Sequence, residues 1–148
     1  MKIIFLVTFF LQAGLLFFDE MVFHRKRGLP LWEKIGHPLD SFSVLSCYLF
    51  LCFSDFNDFN LVVYSVLSVF SCFLITKDEF IHKELSSASE NWLHSVLFML
   101  HPVTLFSAGS LWAENLEKFY FAGAALSVLV FMLYQILYWS FYEKRLSR

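Results

Sequence analysis

The sequence is short of charge. Only 16% of its 148 residues are Asp, Glu, Lys or Arg, and the formal net charge is −2. Nothing in that balance would draw the chain to a nucleic acid. Glycine-rich phosphate loops, low-complexity tracts and solenoid repeats are missing too. Cysteine is scarce: Cys47, Cys52 and Cys72 all fall in apolar runs, at spacings that match no zinc ribbon or thioredoxin motif. They read as small buried hydrophobes and define no redox compartment.

What the chain has instead is apolar surface. It is 58% hydrophobic and 20% aromatic, with a mean hydropathy of +0.61. A soluble domain of this size would expose too much of that surface. The composition is that of an all-α integral membrane protein, a polytopic helical bundle forming one domain.

Five apolar runs are visible: Ile3–Phe18, Leu39–Phe53, Leu61–Thr76, Trp92–Trp112 and Phe119–Phe141. A transmembrane helix needs about 20 apolar residues, within a range of roughly 17–25. The last two runs qualify outright, and the first three are expected to extend into the interface through flanking Trp, Tyr and long polar side chains. The first run ends without a small-x-small cleavage pattern, and its basic cluster follows rather than precedes it, so it is expected to be retained.

Threading five spans sorts the basic residues by side. Arg25, Lys26, Arg27, Lys34, Lys77, Lys83, Lys144, Arg145 and Arg148 fall on one side, against Lys2 and Lys118 on the other. By the positive-inside rule the richer side is cytoplasmic, which puts the N-terminus outside and the C-terminus inside. That pattern suits a bacterial inner membrane. The fifth span, with Ala122-Gly123-Ala124-Ala125 and no ionisable group before Glu143, reads as scaffold.

The ionisable residues within and beside the spans gather on the same side. His24, His37, His82, His94 and His101 all lie on the cytoplasmic side or are reached from it. Glu20/His24, Asp78/His82 and Glu90/His94 are each an acid followed by His at i+4, a spacing that puts both on one helix face. On the fourth helix Glu90, His94 and His101 lie within about 40° of one another, with His101 roughly 16 Å deeper than Glu90. His37 and Asp40 stand near the start of the second span.

Several of these residues have plain structural readings. Ser87-Ala88-Ser89-Glu90 fits a capping box, and Asp40 followed by Ser41 fits a helix cap. Arg25-Lys26-Arg27 reads as an orientation signal, and the loop from Arg25 to Asp40 as a structured cytoplasmic cap. His101 alone would be a neutral imidazole bonded to a Ser or a carbonyl. Asp19, Glu20, Asp78 and Glu79 fit less well. They close apolar runs at what would be helix C-termini, where the macrodipole disfavours anions, so a cation is expected beside them. An ionisable residue as deep as His101 also points to function.

Together the residues suit a metal held between helices, since imidazole and carboxylate are ligands for iron, manganese and zinc. The expected ligands are Asp19, Glu20, His24, His37, Asp78, His82, Glu90, His94 and His101, with Glu79 or Asp40 as general base. That surplus over four suggests two metals or supporting partners. Mixed His/carboxylate ligation favours iron over zinc or manganese. Haem held by two histidines is the lesser expectation, because it leaves the acids unexplained.

The cluster loosely resembles two di-iron designs. Membrane desaturases and hydroxylases also gather histidines at the cytosolic face, although their HxxxH and HxxHH boxes do not occur here. Ferritin-like carboxylate proteins use paired ExxH motifs, of which Glu79-Phe80-Ile81-His82 supplies one. The expected function is a metal-dependent oxidoreductase or hydrolase acting on a lipid or other apolar substrate. Metal or proton transport and a non-catalytic assembly role are the alternatives. Expected partners are membrane lipid and a second copy of the chain.

Overall fold

The computed structural model describes residues 1–78, 86–114 and 118–142, with Asp78, Phe141 and Tyr142 described by backbone alone. The described residues are helical apart from short turns, and no strand occurs among them. Helix α1 spans Lys2–Phe18 and continues through a π-helical turn, Asp19–His24, into a last turn, Arg25–Arg27. Four more helices follow: α2 (Leu31–Phe53), α3 (Asp58–Ile75), α4 (Ala88–Ala113) and α5 (Phe119–Leu137, with a π-helical end, Tyr138–Tyr142).

Five helices are long and apolar enough to cross a membrane: Lys2–Arg27, Leu31–Phe53, Asp58–Ile75, Ala88–Ala113 and Phe119–Ser140. Two of them differ from the apolar runs in an informative way. The first helix runs nine residues beyond Phe18, so Asp19 and Glu20 lie inside it rather than at its end. The second starts at Leu31, eight residues before the apolar run, with Pro38 inside it. The expected loop before the second span is therefore mostly helix, and Asp40 does not cap α2. Gly28, at φ 73 and ψ 161, makes the turn between the two helices. That region is open essentially to glycine alone.

The helices pack in the order α1, α4, α3, α2, α5. α4 packs on α1 and α3, α3 on α2, and α2 on α5. α4 is the most enclosed, with 50% of its apolar window buried against 11–33% for the others. Its inward stripe of Glu90, His94, Leu97, His101, Thr104, Ala108 and Leu111 follows the helical repeat. At the end away from the histidines, Phe5, Tyr48, Leu105, Leu111, Trp112 and Phe121 form a tight aromatic core. The Phe5 ring meets Phe121 at 6.1 Å and Tyr48 at 6.2 Å, both edge-on.

A glycine sets the α3–α4 spacing. A Cβ on Gly109 would sit 2.6 Å from Tyr64 Cε1, and the Tyr64 hydroxyl is held by donating to the Leu105 carbonyl at 2.7 Å. Gly109→Ala should therefore lower stability by about 1–3 kcal/mol through overpacking. Gly123 has open space where its Cβ would be. Gly123→Ala should be neutral or slightly stabilising, because alanine restricts the unfolded chain. Thermal unfolding of the two purified variants in one detergent checks both signs.

Candidate metal centre

The polar end of the bundle is built from three segments. The π-helical turn supplies Asp19, Glu20 and His24, the first turns of α2 supply Glu33 and His37, and the first turns of α4 supply Glu90 and His94. A regular α-helix would set Asp19 and His24, five residues apart, about 140° from each other. The i→i+5 repeat of the π-turn brings the two together, and single π-turns of this kind favour functional sites. Relative exposure is 3% at Asp19, 1% at Glu20 and His24, 0% at Glu33, 2% at Glu90 and 6% at His94.

His24 is the hub. Its Nε2 lies 3.3 Å from Asp19 Oδ2 and 3.8 Å from Glu90 Oε1, while Nδ1 lies 3.3 Å from Glu20 Oε2. His94 Nε2 lies 3.0 Å from the same Asp19 oxygen. Asp19, His24, Glu90 and His94 each offer one ligand atom, all within 4.8 Å of one another. Bonds of about 2.0–2.2 Å set tetrahedral N and O ligands roughly 3.3–3.6 Å apart. The measured spacings straddle that range, so the four can hold one metal ion with small adjustments. Asp19 Oδ1 is fully buried and meets no hydrogen-bond donor among the described residues. A cation at this position would relieve it.

Glu20 stands behind His24. It takes the Nδ1 side of the ring on one oxygen and a hydrogen bond from the Trp139 indole on the other. That carboxylate–imidazole arrangement turns Nε2 toward a metal and fixes the ring. Glu33, His24 and His37 form a second group able to hold a metal. A guanidinium already stands there. Arg27 donates to both oxygens of Glu33, at 3.1 and 2.9 Å, and to Glu90 Oε1 at 3.0 Å. Its built-in positive charge favours one metal over two. The His37 ring stacks obliquely near His24, with centroids 4.7 Å apart.

Two expected residues stand apart from this group. Asp40 accepts from Lys77 Nζ at 2.6 Å. His101 lies deeper, with Gln12 on Nδ1 at 2.9 Å and Ser71 on Nε2 at 3.0 Å. Ser43 donates to the Asp40 carbonyl, so Ser71 donates to Ser43. His101 Nε2 must then donate to Ser71, and Nδ1 accepts from Gln12, which is the structural reading of this residue. Asp78 by its side chain, and Glu79 and His82 altogether, lie outside the described residues. Ser87 caps α4 as expected, accepting from Glu90 N–H at 3.3 Å, but the Glu90 carboxylate goes to Arg27.

Sequence reasoning missed Glu33, Arg27 and Trp139. Glu33 and His37 repeat the same i+4 acid/His spacing, a signal hidden by placing them in a loop. A cavity of about 280 Å³ adjoins the cluster. It is reached by Asp19, His37 and His94 at one end, and by Phe9 and Tyr48 at the other.

Removing Arg27 would leave Glu33 and Glu90 facing each other without their shared cation. Arg27→Gln should cost about 3–5 kcal/mol, as breaking a buried ion pair does. Adding Glu33→Gln should recover much of that loss. Chemical denaturation of the single and double variants, prepared free of metal, reads the coupling directly.

Comparison with protein-family models, with curated proteins and with solved structures gives no match. The chain is a helical bundle with five candidate membrane spans and a buried His/carboxylate cluster able to bind a metal ion, and its function is argued from that geometry.

Proposed function

We propose that this protein is a small integral membrane metalloenzyme that acts on a lipid or other apolar substrate. Its metal is held by Asp19, His24, Glu90 and His94 at the cytoplasmic end of the bundle. The observation that carries the reading is the convergence of these four buried ligand atoms, with Asp19 Oδ1 left uncompensated, at the end of an apolar cavity. The basic-residue count supports the orientation, with the N-terminus outside.

Iron is the favoured metal. Asp19, His24 and His94 make a two-histidine, one-carboxylate set, the ligation that leaves positions open for oxygen chemistry on iron. Glu90 is the weaker fourth ligand, since its nearer oxygen is shared with Arg27. Zinc in the same site would instead supply a bound water for hydrolysis. In either case the chain's own residues do recognisable work. Glu20 orients His24, Arg27 holds Glu90 in place, and the apolar cavity wall excludes water. Asp40 and Glu79 remain the proposed proton-handling groups, with Lys77 donating to Asp40.

Transport is the weaker reading. On α4, Thr104, Ser107 and Ser110 return their hydroxyls to carbonyls of their own helix. The aromatic core then fills the far half of the bundle. Neither feature favours an ion path.

Elemental analysis of the purified protein, with His94→Ala and Asp19→Ala beside it, tests the proposal. About one iron per chain, lost in both variants, is the expected result. Zinc at the same stoichiometry would move the chemistry to hydrolysis. No metal after reconstitution with iron, manganese or zinc would overturn the enzyme reading.

A further inference from the structure

The two helices flanking the cavity are tied together at both ends. At the far end Phe5 meets Phe121, and Lys2 lies over the Tyr120 ring at 4.6 Å. At the cluster end Trp139 donates to Glu20, and Arg25 donates to the Tyr134 hydroxyl at 3.3 Å. Between these ties the cavity lies along both helices, with Gln12, Ala13 and Phe17 of α1 on one flank and Ser127, Phe131 and Gln135 of α5 on the other. Ala13, Phe17 and Ser127 are exposed, so the opening is lateral. It lies in the middle of two apolar spans, where the surrounding medium is hydrocarbon.

The dimensions narrow the occupant. From His37 to Tyr48 the cavity follows α2 for about 16 Å at 1.5 Å per residue. The bilayer's hydrocarbon core is about 30 Å thick, so this is the depth of one leaflet. A volume of about 280 Å³ over that length suits one alkyl chain. One end is apolar, formed by Phe9, Val44 and Tyr48. The polar end presents Gln135, Ser41, His37 and Asp40. Of the cations described near this end, Arg27 is committed to Glu33 and Glu90, Lys77 to Asp40, and Arg25 to the Tyr134 hydroxyl and the Tyr138 ring, and none of the three lines the cavity. The polar end therefore suits an uncharged, hydrogen-bonding head better than an anionic one.

We infer that the cavity is a binding site for a single-chain neutral lipid, of the fatty alcohol or fatty aldehyde class, which enters sideways from the cytoplasmic leaflet between α1 and α5. The chain points to the bilayer midplane at Tyr48, and the head lies beside Asp19 and His94. As the substrate class of the proposed enzyme this rests on the metal reading, but binding itself does not require the metal.

A long-chain alcohol carrying a diazirine near its chain end provides the test, with the full-length protein in phosphatidylcholine nanodiscs. Tyr48 is only 2% exposed and lines the cavity, so a bilayer lipid cannot touch it from outside. Light-induced labelling of Tyr48, mapped by mass spectrometry, is the expected result. Ser127→Trp at the mouth should cut that labelling at least tenfold, while Leu126→Trp, exposed beside it and outside the cavity lining, should leave it intact. Labelling confined to exposed residues such as Phe17, or unchanged in Ser127→Trp, would overturn the inference. Stronger labelling of Tyr48 by the matching fatty acid would overturn the neutral-head assignment. Tyr48 labelling that persists in a protein found to bind no metal would support the site while the metalloenzyme reading fails.

Discussion

Buried charge at one end of the bundle organises the rest of this molecule. Asp19, Glu20, Glu33 and Glu90 are all nearly inaccessible, and Arg27 is the fixed cation described among them. Isolated carboxylates are too costly to leave in such surroundings unless they are paired, protonated or bound to a metal. The local structure reads as a set of responses to that cost. The π-turn swings Asp19 to the same side as His24 and Glu20. α2 begins early enough to carry Glu33 beneath Arg27. α5 ends by lending the Trp139 indole to Glu20. One guanidinium against four carboxylates leaves negative charge over, and a divalent cation at Asp19, His24, Glu90 and His94 would nearly balance it.

The same constraint explains which parts of the structure were legible in the sequence. Five apolar runs marked five helices, and acid/His pairs at i+4 marked the end where the polar residues meet. Helix limits were not legible, because a run of apolar residues stops at the first charge. Here the first charges, Asp19 and Glu20, are buried, so the helix passes straight through them. Glu33 and His37 had the right spacing but stood among Gly36, Pro38 and a basic cluster, signals that usually mark a loop. Arg27 looked like its neighbours Arg25 and Lys26, and only the fold separates the one that turns inward. Trp139 resembled an interfacial aromatic. A π-turn leaves no periodicity to read, since it lasts only five or six residues.

The two halves of the bundle divide the work. Away from the cluster, Phe5, Tyr48, Trp112 and Phe121 fill the interior, and Gly109 lets α3 and α4 close against each other. Toward the cluster, polar side chains replace aromatic ones and packing gives way to a cavity. Gln12, His101, Ser71 and Ser43 form a bonded chain through this region, consuming every hydrogen-bonding atom of the His101 ring. His101 therefore braces α1, α3 and α4 around the cavity. An intramembrane histidine can be functional by holding a site open while other histidines meet the ligand.

The apolar cavity and the charged cluster also reinforce each other. A low-dielectric wall strengthens every interaction between a metal, its carboxylates and Arg27, because it screens them less than water does. It makes the ligand set costly when empty and firm when filled. A chain lying in the slot would complete that enclosure by displacing remaining water from the side of Asp19 and His94, the two ligands that reach the cavity. Groups held in place before a reaction need not reorganise during it, which is where such sites gain most of their effect. On the proposed reading the bilayer would complete the site: its hydrocarbon would continue the cavity wall through the opening between α1 and α5, over a depth that matches the slot.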